Sequence, residues 1–178
     1  MPQPVIDETI AFVPVRIAVL TVSDTRTAQN DTSGDTLAAR ITEAGHVLAA
    51  RKLLRDDIAQ IRGQLAAWIA DPDIDCVITT GGTGLTGRDV TVEAMTPLFE
   101  KGIEGFSALF HHISFKSVGT STIQSRACAG LANATYLFAL PGSTGAVKDG
   151  WDGILRFQLD IRHRPCNLIE ILPRLTER

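Results

Sequence analysis

The spacing of apolar and polar positions divides the chain into alternating strand-like and helix-like segments. Arg16–Val22 (RIAVLTV) is an apolar run rich in branched residues and reads as the first strand. The polar stretch 27–34 is too rich in Asn, Asp, Thr and Ser for regular structure. Leu37, Ile41 and Ala44 then share one helical face, with Ser33 placed to cap that helix and Gly45 to stop it. His46–Leu54 reads as a second strand, weakened by Ala49-Ala50-Arg51-Lys52. Asp56 or Asp57 caps a helix striped by Ile58, Ile61, Leu65, Trp68 and Ile69, and Asp71-Pro72-Asp73 ends it. Asp75–Thr80 is the third strand.

Further on, the pattern predicts a helix over 91–101 perturbed by Pro97, and another over 102–112 carrying Phe106, Leu109 and Phe110. A helix of small residues is expected over 122–131, with Ser125-Arg126 near its start. Ala134–Leu140 is a strand, 146–159 a helix and 168–175 an apolar tail. Strand, helix, strand, helix, strand implies a mostly parallel sheet covered on both faces: a single three-layer α/β domain over 16–178. Residues 1–15, with Pro2, Pro4 and Pro14, form an arm whose Val5, Ile10, Phe12 and Val13 need a surface to pack on, such as a neighbouring subunit.

Composition narrows the class. The chain has 178 residues, 44% of them hydrophobic and 21% charged, which suits one folded domain. With 17 Lys and Arg against 20 Asp and Glu, the net charge of -3 argues against a general nucleic-acid binder. Cys76, Cys128 and Cys166 are an odd number without C-x-x-C spacing, which points to buried reduced thiols in a cytoplasmic protein. No apolar run is long enough to span a membrane, and the first residues do not have the form of a secretory signal.

The candidate chemistry sits after the third strand. Four glycines in seven positions, Gly81, Gly82, Gly84 and Gly87, precede Arg88-Asp89 and a helix start at Thr91. A strand, glycine loop and helix can present backbone N–H groups to an anion. Gly82–Gly87 fits G-x-G-x-x-G in letters, but a dinucleotide fold needs that motif after the first strand. The loop also falls short of a P-loop, because Arg88 and Asp89 stand where Lys and Ser or Thr are required. Asp89 is either a magnesium ligand next to phosphates on the loop, or the partner of Arg88 or a helix N-cap. Pro141-Gly142-Ser143-Thr144-Gly145 follows a strand in the same way, and Ser143 is a helix cap or an anion donor. Ligands of such sheets bind beyond the carboxyl ends of the strands, so the Ser23-Asp24 turn and both glycine loops belong to one rim. His111-His112 lacks a third metal ligand, and no G-x-S-x-G elbow supports a hydrolase triad. Arg156 and Arg162-His163-Arg164 form a basic patch, read as a solvated face, a subunit salt bridge or a contact to an anionic ligand.

TTGGTGLTGRDVTVEA (79–94), STIQSRACAGLAN (121–133) and LPGSTG (140–145) together resemble the MoaB/Mog family of molybdopterin-binding proteins; VSDTR (22–26) and DTSGDTL (31–37) fit as well. The run 150–173 is most similar to the protein B branch of that family. The resemblance implies a MogA/MoaB-like α/β fold assembled as a trimer or hexamer, and a pocket for molybdopterin. In the adenylyltransferase members, the molybdopterin phosphate attacks the α-phosphate of Mg-ATP. Carried over by position, Thr80, Gly81, Gly82, Thr83, Gly84, Ser125, Gly142 and Ser143 would hold molybdopterin, and Ser23 and Asp24 the nucleotide. Asp56 and Asp89 would be catalytic and would hold Mg2+. Val92 stands where the family has Pro, and Arg55-Asp56 replaces Pro-Asp. Three functions compete: a molybdopterin adenylyltransferase, a non-catalytic molybdopterin binder or carrier, and a structural subunit with a vestigial pocket. Other proteins of the pathway are expected partners.

Overall fold

The computed structural model describes residues 5–177; residues 1–4, with Pro2 and Pro4 of the expected arm, and residue 178 lie outside them. The strands are β1 (Val5–Ile6), β2 (Arg16–Val22), β3 (Val47–Leu54), β4 (Cys76–Thr80), β5 (Lys101–Gly102), β6 (Cys128–Ala132), β7 (Thr135–Leu140) and β8 (His163–Arg164). The helices are α1 (Thr32–Glu43), α2 (Ile58–Ile69), α3 (Thr91–Met95), α4 (Glu104–Val118), α5 (Thr144–Gly150), α6 (Arg156–Gln158) and α7 (Leu168–Ile171), with a π-helical turn, Trp151–Leu155, joining α5 to α6. The main sheet has the order β3-β2-β4-β7-β6-β5. β3, β2, β4 and β7 are parallel, and β6 runs antiparallel to both β7 and β5.

Strand periodicity sorts the core into two layers. From β2, Ile17 and Val19 face α1, α4 and α5 with Cys76, Ile78 and Phe138, against Leu37, Ile41, Phe106, Phe110 and Val147. Ala18, Leu20 and Val22 face the other way with Val77 and Leu137, against Ile61, Leu65 and Trp68 of α2 and Met95 of α3. Both faces of the sheet are therefore covered, as expected of a mostly parallel sheet.

Several elements differ from the sequence expectation. The small-residue stretch 122–131 is not a helix: a 3-10 turn, Gly119–Gln124, leads into β6. Small size serves sheet packing there, because a Cβ on Gly130 would run into the Phe99 ring. Asn133 and Ala134, at φ 45° and 61°, make the tight left-handed turn into β7. The expected 91–101 helix stops at Met95 and tightens into a 3-10 turn containing Pro97, and α4 runs on to Val118. The cap of α1 is Asp31, which accepts from Gly34 N, rather than Ser33. Asp57, not Asp56, caps α2. The arm packs on its own chain: β1 pairs antiparallel with β8, and Phe12 stacks near His46. The basic patch is taken up internally, Arg162 by Asp160 and Arg164 by Asp7 and Glu170. Only Cys76 is a fully buried thiol; Cys128 is half-buried and Cys166 exposed. No helix among the described residues is long and apolar enough to cross a membrane.

Candidate functional site

The glycine loop is held against the second glycine turn by backbone contacts that side chains would block. β4 and β7 are neighbours, and their ladder continues past the strand ends: Gly81 N donates to Leu140 O at 3.0 Å, and Thr80 Oγ1 to Pro141 O at 3.0 Å. Gly81 has φ +100° and Gly82 φ +66°, left-handed conformations that favour glycine. A Cβ on Gly81 would overlap the Val22 carbonyl, and one on Gly142 would press on the Gly81 backbone at 3.1 Å. The loop closes on itself through Asp89, whose carboxylate accepts from Thr86 N at 2.9 Å and Thr86 Oγ1 at 2.6 Å. Buried Thr91 ties the start of α3 back, donating to Gly81 O at 2.8 Å.

A cavity of about 460 Å³ opens over the carboxyl ends of β2, β4 and β7, within the range of small-molecule sites. Its floor is Thr80, Gly81, Gly82, Thr83 and Gly84. One wall is the turn after β2, with Ser23 and Asp24; the others carry Asp56, Asp89, Ser125, Gly142 and Ser143. Ser143 accepts from Ala146 N at 3.1 Å, so its hydroxyl caps α5 while facing the cavity. The Gly82 and Thr83 amides donate to no acceptor among the described residues.

Three carboxylates meet in this cavity under different constraints. Asp24 is held by Arg88 through two bonds of 2.8 and 2.9 Å, and this pairing, together with a bond from Asp56 N, keeps its carboxyl below the usual range against mild burial. Burial would raise Asp89, but the bonds from Thr86 and Gly84 outweigh it and the net shift is downward. Asp56 moves the other way: burial, then the charges of Asp24 and Asp89, push its carboxyl above the usual range. It accepts no hydrogen bond among the described residues and lies next to the floor, with Oδ1 only 2.8 Å from where a Gly82 Cβ would be. No group of three His, Cys, Asp or Glu among the described residues is arranged to enclose a metal. A magnesium ion bound here would take one or two carboxylates from the protein and the rest of its shell from phosphates and water, as that ion commonly does. Buried Asp56, short of a counter-charge, fits such a role.

Residues 18–161 match the family model described as "Probable molybdopterin binding domain". The chain belongs to the molybdopterin-binding domain family of molybdenum cofactor biosynthesis. It is 49% identical over 156 residues to Molybdenum cofactor biosynthesis protein B of Escherichia coli K12, covering 88% of this chain and 92% of that one. A crystal structure of a Molybdenum cofactor biosynthesis protein B superposes with a TM-score of 0.85 at 36% identity, over 95% of this chain and all of that one. A structure of MogA gives 0.73 at 25% identity, over 89% of this chain and 99% of that one.

In this member of the molybdopterin-binding domain family, the residues expected to meet molybdopterin, nucleotide and metal all line one rim cavity, whereas Gly87, Arg88, His111 and His112 do not. The cavity also has lining that local pattern did not single out. Arg26 sits in its wall, held by Asn30 O and Thr32 Oγ1 at 2.9 and 2.8 Å; Gln124 contributes too, and Ser33, expected only as a helix cap, lines the cavity. Ser33 and Arg26 lie in the segments that carry the family resemblance, which was the available signal for them.

Proposed function

We propose that the cavity binds molybdopterin, with its phosphate on the Gly81–Gly84 floor, and that the protein adenylylates that phosphate with Mg-ATP. The observation that carries this reading is the adjacency of two opposite preferences. The free amides of Gly82 and Thr83 favour an anion, and beside them Asp56 is buried, raised and in need of a cation. A phosphate accompanied by a divalent cation satisfies both. Ser125 and Ser143 would orient the pterin, Ser23 and Asp24 would meet the nucleotide, and Asp56 and Asp89 would hold the magnesium of Mg-ATP, which supplies charge neutralisation at the phosphates. In the transfer, an oxygen of the molybdopterin phosphate bonds to the α-phosphorus of ATP as the bond to pyrophosphate breaks. The protein's part is positioning and charge compensation.

The carrier reading keeps the pterin and drops the turnover. It is favoured by the present pairing of Asp24 with Arg88 and of Asp89 with Thr86, which leaves Asp56 as the unpaired acid among the three that line the cavity. It is also favoured by greater similarity to relatives named protein B than to MogA. Incubating the purified protein with molybdopterin and Mg-ATP separates the readings. Adenylylated molybdopterin with equimolar pyrophosphate supports the enzyme, tight pterin binding without product supports the carrier, and no binding sinks both. We also assign a cytoplasmic homo-oligomer, trimer or hexamer, for which exposed Phe115, Val118 and Ile123 offer apolar contact surface. Light scattering on the eluted peak measures the mass.

A further inference from the structure

We infer that Arg126 is a positioning residue of the glycine floor: it holds the Thr83 and Gly84 carbonyl oxygens on its own side of the loop, so that they do not face an anion bound at the free Gly82 and Thr83 amides. Arg126 does not line the cavity, yet its contacts are concentrated on the loop that does. Its Nε donates to Gly84 O at 2.8 Å and Thr83 O at 3.2 Å, and its backbone N–H also donates to Thr83 O, at 3.1 Å. Its Nη2 donates to Asp89 O at 2.9 Å, and its Nη1 pairs with the Glu93 carboxylate at the start of α3. One guanidinium therefore spans the loop from Thr83 to Glu93.

Peptide geometry supplies the consequence. In a trans peptide, the C=O of one residue and the N–H of the next point in opposite directions. Fixing Thr83 O and Gly84 O on Arg126 aims the Gly84 and Leu85 N–H groups the other way. A backbone bond from Gly84 is among the causes that hold the Asp89 carboxyl below its usual range, whereas the free Gly82 and Thr83 amides follow the Gly81 and Gly82 carbonyls, which Thr91 holds. Without the guanidinium, Thr83 O keeps the backbone N–H of residue 126, but the Gly84 carbonyl could rotate toward the cavity and repel a phosphate. Glu93 neutralises the guanidinium, so Arg126 acts by geometry and not as a source of positive potential for the ligand. Three acceptors spread along a loop suit a planar, five-donor fork; a lysine ammonium cannot match them.

The choice of ligand rests on the molybdopterin reading; the clamp itself does not. The test uses the full chain with Arg126→Ala and Arg126→Lys, measuring molybdopterin affinity, thermal midpoint and hydrogen exchange across 81–89 without ligand. Both variants should bind about 10- to 100-fold more weakly, as expected for loss of several charge-assisted bonds at a half-exposed residue. Exchange in 81–89 should quicken while the sheet strands stay protected. A lysine variant that binds like the wild type would reduce Arg126 to a charge partner of Glu93 and overturn the inference. So would affinity losses that only track a fall in thermal midpoint. Should the wild type itself fail to bind molybdopterin, the functional reading falls, while the exchange comparison still decides the clamp: unchanged exchange in both variants overturns it.

Discussion

Gly82→Ala is the substitution for which the geometry makes the sharpest demand. Gly82 sits at φ +66°, and a Cβ there would overlap Thr91 Oγ1 and stand 2.8 Å from Asp56 Oδ1. Holding alanine in the left-handed region costs about 1 kcal/mol. Moving Thr91 breaks its 2.8 Å bond to Gly81 O, and both groups are buried, so the loss is roughly 1–3 kcal/mol. The sum is about 3 kcal/mol. In urea, with a slope of roughly 2 kcal/mol/M, the midpoint should drop by about 1.5 M. Gly87→Ala is the internal control, because nothing lies within 4 Å of its Cβ position and its φ is not in the left-handed region. It should stay within about 0.5 kcal/mol of wild type. Equal midpoints for the two variants, or a Gly82→Ala loss below about 1 kcal/mol, would show that the floor yields easily, and the idea of a preformed cradle would fail with it.

Three further outcomes follow from the charges. Asp56→Asn should stabilise the protein at pH 7: the wild-type carboxyl is raised by burial and by Asp24 and Asp89, so its ionisation costs folding energy once pH exceeds that raised value. The advantage should vanish as pH falls below the ordinary carboxylate range, which urea midpoints at several pH values will show. Asp89→Asn, which keeps an acceptor for Thr86, should bind molybdopterin and lose adenylylation, whereas Asp89→Ala should lose both through loop loosening; equal binding by the two variants refutes this division. His46 accepts from Val15 N at 3.2 Å through Nδ1, so its proton is on Nε2; burial lowers its pKa, with Asp160 opposing and Arg162 reinforcing. Folding should therefore lose stability as pH falls below about 6.5, and an NMR titration should find the His46 midpoint below that of an unperturbed histidine.

The rim was legible because strand, turn and helix recur in the right order, and topology alone then brings the turns after β2, β4 and β7 together. The glycine count proved a weaker signal than it looked. Gly81, Gly82 and Gly84 are all required by close approaches within the protein, to the Val22 carbonyl, Thr91 and the Asp89 carboxylate. A loop with that many glycines is thus largely explained by its own packing, and what suits it to an anion is the pair of amides, Gly82 and Thr83, left free. The pattern over 122–131 predicts a helix because Ala127, Ala129 and Gly130 carry little periodic signal; the strand is fixed by its pairing with β7 and β5, and Gly130 leaves room there for the Phe99 ring. Asp56 and Asp57 could not be told apart as caps until Asp57 took Gln60 N, which leaves Asp56 to the cavity. In the sequence Arg126 is marked only by its place beside Ser125 at the start of the expected 122–131 helix. No local pattern reports that it reaches residues 83 to 93 across the rim.

The pairing of charges around the cavity leads to one more measurable consequence. Arg88 is taken by Asp24, Arg126 by Glu93, and Arg26 by Asn30 O and Thr32 Oγ1, while Asp89 is occupied by Thr86. What remains at the floor is a set of free amides next to one unpaired acid. A phosphate entering alone meets Asp56 as a like charge; at ~5 Å and an effective dielectric near 20, one unit pair repels by about 3 kcal/mol, roughly a hundredfold in affinity. Molybdopterin binding by the wild type should therefore tighten markedly when Mg2+ is added. Asp56→Asn should bind tightly without the ion and gain little from it. The assay is a titration of both proteins with and without Mg2+ at fixed ionic strength, so that screening is constant. If the wild type is indifferent to Mg2+ while Asp56→Asn binds no better than it, the phosphate does not sit beside Asp56, and the placement of the nucleotide and metal end against the glycine floor is wrong.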